Sequence, residues 1–204
     1  MEGQLYTVSA PSGAGKTSLV RQLMQRIPEL KVSVSHTTRP MRPGDLEGRD
    51  YFFVDKPRFE AMIEEEAFLE YARVFDNYYG TSRAAVEATL KAGHDVLLEI
   101  DWQGASQVKQ ILPETCSIFI LPPSREALVE RLKGRGQDSE EVIARRTAEA
   151  VSEMVHYHAA DYLIINDQFD VAVHQLVSLV EAGTLTLPRQ QERHGDLIAK
   201  LLGK

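Results

Sequence analysis

Apolar, β-branched residues bunch into short runs at 5–8, 31–34, 95–100, 116–121 and 162–165, and between these runs the apolar spacing changes to the three-and-four rhythm of helices. Runs apolar on both faces belong in a parallel sheet covered on both sides, so the pattern predicts a three-layer α/β/α core. The first run leads straight into a helical pattern of Leu19, Val20, Leu23, Met24 and Ile27. Residues 35–93 are of different character and read as an inserted mixed α/β segment. Pro40, Pro43 and Gly44 exclude a helix at its start, and Tyr51, Phe52, Phe53 and Val54 read as a strand. Phe59, Met62, Ile63, Ala67 and Phe68 then predict an amphipathic helix over 58–72, ending near Glu70 and Tyr71. Residues 77–82 read as a turn in which Thr81 or Ser82 caps a helix over 83–92, stopped by Gly93.

Past the fourth apolar run, Pro122-Pro123-Ser124 breaks the chain and caps a helix over 125–133; Asp138 or Ser139 starts another after a glycine-containing loop. This helix–loop–helix carries Arg131, Lys133, Arg135, Arg145 and Arg146, the composition of a lid that closes over phosphates, although Glu126, Glu130, Glu140 and Glu141 also suit a solvated face. Asp170 is read as the cap of a helix ending at Gly183. In the tail, Leu197, Ile198, Leu201 and Leu202 stand at helical spacing and call for packing on the core or on another subunit.

Between the first run and its helix lies Ser9-Ala10-Pro11-Ser12-Gly13-Ala14-Gly15-Lys16-Thr17. A strand, a glycine-rich turn and a helix start, in that order, make a phosphate cradle. Backbone N–H groups point into one concavity, the helix dipole adds positive charge, and Lys16 supplies an ammonium. Thr17 offers its hydroxyl to a magnesium ion. Ala10 stands where the general P-loop pattern has its first glycine, a change that costs little where φ is negative. The loop predicts a bound nucleoside triphosphate and leaves the fate of its γ-phosphate to other residues.

Composition narrows the setting. With 204 residues, 43% of them apolar and 26% charged, the chain is an ordinary globular domain, and a net charge of -7 argues against general nucleic-acid binding. Cys116 is the single cysteine and lies in an apolar run, so it predicts a buried, inert thiol and a cytoplasmic protein. No apolar stretch approaches the length of a membrane span, and the six histidines show no metal-ligand spacing, so no tightly bound protein metal is expected.

Together the loop 9–17, the segment Ser35-His36-Thr37-Thr38-Arg39-Pro40-Met41-Arg42-Pro43-Gly44, Tyr78-Tyr79-Gly80-Thr81-Ser82, Glu99-Ile100-Asp101-Trp102-Gln103-Gly104 and the arginines from 131 to 146 resemble the bacterial guanylate kinases, P-loop nucleoside monophosphate kinases. The resemblance runs over essentially the whole chain in the family's order, with Glu99 standing where the family pattern has Asp. It implies transfer of the γ-phosphoryl group of ATP to GMP or dGMP with Mg²⁺. It also implies a P-loop core (1–34, 94–124, 156–204), a GMP-binding region (35–93) and a helical lid (125–155).

The resemblance assigns residues as well. ATP is expected on Ala10, Pro11, Ser12, Gly13, Ala14, Gly15, Lys16 and Thr17. The guanine donors N1–H and N2 are expected on Glu70, helped by Asp101, with Ser35 and Thr81 completing the hydrogen bonds. The GMP phosphate is expected between Arg39, Arg42, Tyr51 and Tyr79, where guanidinium forks and phenol O–H groups suit phosphate oxygens. Lys16, Arg131, Arg135 and Arg146 take the catalytic roles, and magnesium falls to Thr17 with Glu99 or Asp101 reaching it through water. A kinase for another phosphorylated acceptor would share the loop without a guanine pocket. A phosphopeptide-binding module would not need Lys16, Thr17 and the lid arginines intact.

Overall fold

The computed structural model describes residues 2–74, 76–134 and 140–203. In chain order the elements are β1 (Leu5–Ser9), α1 (Lys16–Arg26), β2 (Lys31–Val32), β3 (His36–Thr37), β4 (Phe52–Phe53), α2 (Lys56–Glu64), β5 (Phe68–Val74), β6 (Asn77–Ser82) and α3 (Arg83–Lys91). There follow β7 (Val96–Glu99), α4 (Trp102–Ile111), β8 (Cys116–Leu121), α5 (Arg125–Lys133), α6 (Glu140–Met154), a 3₁₀ turn (Val155–Ala159), β9 (Tyr162–Ile165), α7 (Phe169–Thr184), α8 (Leu187–Arg193) and α9 (Gly195–Leu201).

The five core runs form one parallel sheet in the order β2-β7-β1-β8-β9, and alternation along its strands splits the core in two. Tyr6, Val8, Leu97, Ile118 and Ile120 pack on α1 and α7 through Leu19, Leu23, Val173 and Leu176. Leu5, Val96, Leu98 and Ile100 face the other way, against Val86 of α3 and Val108 of α4. This is the expected three-layer α/β/α arrangement, with β1 at its centre and the glycine loop leaving the carboxyl end of β1, where open parallel sheets bind ligands.

The segment between β2 and β7 builds a second sheet, β4-β3-β6-β5, largely antiparallel, over Phe59, Met62 and Phe68. Here two expectations fail. The helix expected over 58–72 stops at Glu64; the chain reverses through Glu66 (φ 52) and continues as β5, so Glu70 stands on a strand. Phe68 sits at the helical repeat of Phe59 because both rings enter one cluster, stacked at 4.5 Å, from two different elements. Residues 77–82 are likewise no turn but strand β6, paired with β5 and β3. Gly80 lies within that strand because the Phe59 and Phe68 rings leave no room for a Cβ.

The expected caps fall differently from one helix to the next. Ser82 caps α3 and Ser124 caps α5 with their side chains. Asp170 does not cap α7: Gln168 stands at the cap without a side-chain bond, and Asp170 lies in the first turn, where a negative charge meets the helix dipole. The start assigned to Asp138 or Ser139 lies outside the described residues. The tail is two short helices. Arg189 of α8 makes a paired hydrogen bond to Asp95 at 2.8 and 3.1 Å, while Leu197 and Leu201 of α9 and Leu202 just after it are exposed. Among the described residues no helix is long and apolar enough to cross a membrane.

Candidate functional site

The loop from Ala10 to Gly15 curls over the start of α1, with Gly13 and Gly15 in the left-handed region at φ 89 and 94. Its shape is fixed from behind. The Ala14 carbonyl accepts Asn166 Nδ2 at 2.8 Å and Arg131 Nη1 at 3.3 Å, and Arg131 also donates to the Asn166 carbonyl at 2.8 Å. The Ala14 N–H closes the loop on itself by donating to the Pro11 carbonyl at 3.1 Å. Lys16 donates to the Ile100 carbonyl at 3.1 Å and lies 3.9 Å from the Glu99 carboxylate. Burial lowers the pKa of its ammonium, while Glu99 and Asp101 act to hold it up. The Thr17 hydroxyl donates to Glu99 at 2.8 Å.

A cavity of about 290 Å³ runs from this loop to the second sheet. Ala10, Pro11, Ser12, Gly13, Gly15, Lys16 and Thr17 form one wall; Ser35, Tyr51, Glu70 and Tyr79 form the opposite wall, with Glu99 and Asp101 between them. Glu70, on β5, is 4% exposed and accepts the Thr81 hydroxyl from β6. Burial pushes its carboxyl up to about 7, with nearby Asp101 adding to the rise and the Thr81 bond opposing it. Asp101 caps α4 by accepting Gly104 N–H at 2.8 Å and is braced by Gln103 at 3.1 Å. The rings of Tyr51 and Tyr79 meet at 5.8 Å.

Other expected residues stand further off. The Arg39 guanidinium is 2.9 Å from Asp45 and lies over the Tyr51 ring at 5.3 Å, and Arg42 is exposed with its N–H on Asp45. Neither arginine lines the cavity. Thr81 is wholly buried behind Glu70, and Ala14 is buried within the loop. Arg131 opens instead onto a second cavity on the far side of the loop, shared with Ser18, Asn166 and Phe169. Arg146 donates to Ser12 Oγ at 3.0 Å, and Arg135 lies outside the described residues.

The structure adds residues that the sequence reading missed. Asn166 follows the last apolar strand directly, and a polar residue at the carboxyl end of a parallel strand is a signal that was available. Glu149 and Glu153 line the main cavity from α6. Gly104 lies so close to Glu70 that a Cβ would overlap its carboxylate. Replacing Gly104 with Ala is therefore expected to displace Glu70 and raise KM for the base-bearing acceptor roughly tenfold, with KM for the triphosphate unchanged; steady-state kinetics with each substrate varied in turn would check this.

A glycine loop with Lys and Thr at the head of the first helix, at the end of the central strand of a parallel sheet, defines a P-loop nucleotide-binding protein, and a second polar pocket across the cavity gives it room for an acceptor. Residues 2–183 match the family model described as guanylate kinase. The chain is 61% identical over 202 residues to the guanylate kinase of Methylococcus capsulatus, covering 99% of each chain. It is 57% identical over 203 residues to that of Escherichia coli strain K12, covering 98% of each. The crystal structure of guanylate kinase from Anaplasma phagocytophilum superposes with a TM-score of 0.77 at 32% identity, over 92% of this chain and 89% of the other. The chain belongs to the guanylate kinase family.

Proposed function

We propose that the chain transfers the γ-phosphoryl group of ATP to GMP or dGMP, giving ADP and GDP, across the cavity between the glycine loop and the second sheet. The observation that carries this reading is Glu70: a buried carboxylate, backed by a hydroxyl, facing the same cavity as the loop lysine. Guanine offers N1–H and the N2 amino group side by side as donors, which a carboxylate accepts together, whereas adenine presents an acceptor at N1. A mismatched base would leave the carboxylate unpaired, a discrimination worth up to about 10⁴-fold.

In this reading Tyr51 and Tyr79 meet the GMP phosphate from the cavity wall, the Arg39 guanidinium turns from Asp45 to join them, and the exposed Arg42 side chain swings in beside it. ATP lies with its phosphates on the loop amides and Lys16. The second cavity, lined by Arg131, Asn166 and Phe169, suits its base, and among the described residues Asn166 Oδ1 has no hydrogen-bond partner, so a small turn of the side chain would offer it to the adenine amino group. Lys16, Arg131, Arg135 and Arg146 act on the transferring group and the ATP phosphates. The attacking atom is already a phosphate oxygen, so the residues align and neutralise charge and no general base is needed. The domain partition proposed is a core of 1–34, 94–124 and 156–204, a GMP-binding region of 35–93 and a lid of 125–155, whose closure excludes water.

Magnesium accompanying ATP prefers hard oxygen donors. The Thr17 hydroxyl and Glu99 carboxylate, side by side at the foot of the loop, meet that preference. Thr17 would hold the ion, with Glu99 or Asp101 reaching it through water, and the bound ion would offset phosphate charge. For the compartment we propose the cytoplasm, in keeping with a lone Cys116 thiol that burial pushes up to about 11. The exposed leucines of α9 suit a homo-oligomer contact.

The test is an ATP-dependent screen of nucleoside monophosphates. GMP and dGMP are expected to be phosphorylated, with AMP, CMP and UMP slower by about 10³-fold or more. Turnover of another acceptor with none of GMP would overturn the reading.

A further inference from the structure

Arg146, Glu149 and Glu153 lie three and four residues apart and so share one face of α6. Two of them grip one residue of the loop. Arg146 Nη2 donates to Ser12 Oγ at 3.0 Å, and Ser12 N–H donates to Glu153 Oε2 at 3.3 Å. Ser12 is thus held on its side chain from one helical position and on its backbone from another two turns away, about 10 Å along the helix. The root of α6 is also fixed. Past Met154, which ends α6, the chain enters the 3₁₀ turn, where the His156 ring stacks on Trp102 at 3.4 Å with 5° between the planes. Trp102 opens α4 beside Asp101, so this end of the helix is tied to the wall of the cavity.

We infer that Glu153 and Arg146 form a latch on Ser12 that holds α6 against the glycine loop, and that Glu153 is a positioning residue for the closed state. The inference rests on the phosphoryl-transfer reading of the same cavity. Charge alone would oppose putting a carboxylate here, because Glu153 shares the cavity with Asp101 and Glu149 and is meant to stay there when phosphates arrive. Burial raises its carboxyl above the ordinary range, and the Ser12 N–H opposes that rise. What Glu153 gains is a backbone donor at the mouth of an anion loop, a hydrogen bond available only when α6 lies across it. α6 packs on α5 through Ile143 and Ala150 against Leu128 and Leu132, and its root is pinned by the Trp102–His156 stack; Glu153 near the root and Arg146 further out add the polar ties from α6 to the loop. A helix left free would open the γ-phosphate to water, which competes with GMP as acceptor.

The experiment compares Glu153→Ala with Glu153→Gln. Gln keeps a carbonyl oxygen that can accept the Ser12 N–H, whereas Ala keeps nothing. For the Ala variant kcat is expected to fall 10- to 100-fold, with KM for GMP within about twofold and with more ATP hydrolysed per GDP formed. The Gln variant is expected to recover most of the rate. Amide hydrogen exchange on the nucleotide-free protein gives a readout independent of the reaction: in the Ala variant, exchange should quicken about tenfold along α6 and the loop and stay unchanged in β5 and β6. If GMP proves not to be the acceptor, the exchange result still judges the latch. Unchanged exchange and kcat in the Ala variant would overturn it, as would a fall in KM for ATP without loss of kcat, which would make Glu153 a competitor of phosphate. A Gln variant as impaired as Ala would do so too. Should the Ala variant fail to fold, Ser12→Ala breaks the Arg146 arm alone and is expected to quicken α6 exchange by itself; no change there would equally count against the latch.

Discussion

Lys16→Met is expected to lower kcat by about three orders of magnitude while the protein stays folded. The ammonium enters the cavity from the first residue of α1 and is held in place by the Ile100 carbonyl at 3.1 Å, with Glu99 close by. It therefore needs no reorganisation as charge moves from the γ-phosphate to the leaving oxygen. One pre-placed donor aimed at developing charge is worth about 10²- to 10³-fold in kcat, and a full positive charge beside phosphates belongs at or above the upper end. Stability should move the other way or not at all. Burial already disfavours the charged form of Lys16, and Met fills much the same stem volume without that penalty. The check is a coupled ADP assay beside a thermal melt: an unchanged melting temperature with unchanged rates would remove the loop from the mechanism.

The loop was legible because residue identity carries its chemistry. Glycines, a lysine and a threonine at fixed spacing after an apolar run admit few other uses, and the alternation of strand and helix runs gave the parallel core. Glu70 was legible only through resemblance; the periodicity around it pointed to the wrong element. Hydrophobic spacing records which residues are buried but not against what, so Phe59 and Phe68, which meet across a helix–strand junction, imitate successive turns of one helix. Gly80 was misread for a related reason, since a glycine that makes room for two rings looks in sequence like a glycine that turns the chain. The supports of the loop were hidden more deeply. Asn166 and Arg131 act on the Ala14 carbonyl and Lys16 on the Ile100 carbonyl, and a backbone oxygen has no residue type to read. Glu153 was overlooked because a glutamate on an amphipathic helix is ordinarily solvated; here its partner is a backbone N–H 141 positions away.

Glu70→Gln is expected to raise KM for GMP about 100-fold while leaving KM for ATP within about twofold, since Gln keeps one acceptor but turns a donor toward the N1–H and N2 donors of guanine. The wild-type carboxyl, pushed up to about 7 chiefly by burial and further by Asp101, is close to half protonated at neutral pH before the base arrives. Guanine selects the ionised form. Specificity for GMP should therefore climb as pH rises through about 7 and level off above it, and the Gln variant should lack that limb. The phosphate of GMP titrates too, but identically with both proteins, so the ratio of the two profiles isolates Glu70. Stability carries the opposite sign. The folded state holds the Glu70 proton more tightly than the unfolded chain, whose carboxyl sits near 4.5, so stability declines as pH rises from 4.5 to about 7 and is flat beyond. At pH 8 the Gln variant should then be the more stable protein, by an amount of order 3 kcal/mol, and melt several degrees higher. A variant that loses its acceptor and gains stability cannot owe its loss to misfolding. Equal effects on both Michaelis constants, or a lower melting temperature at pH 8, would put the guanine site somewhere other than beneath β5 and β6.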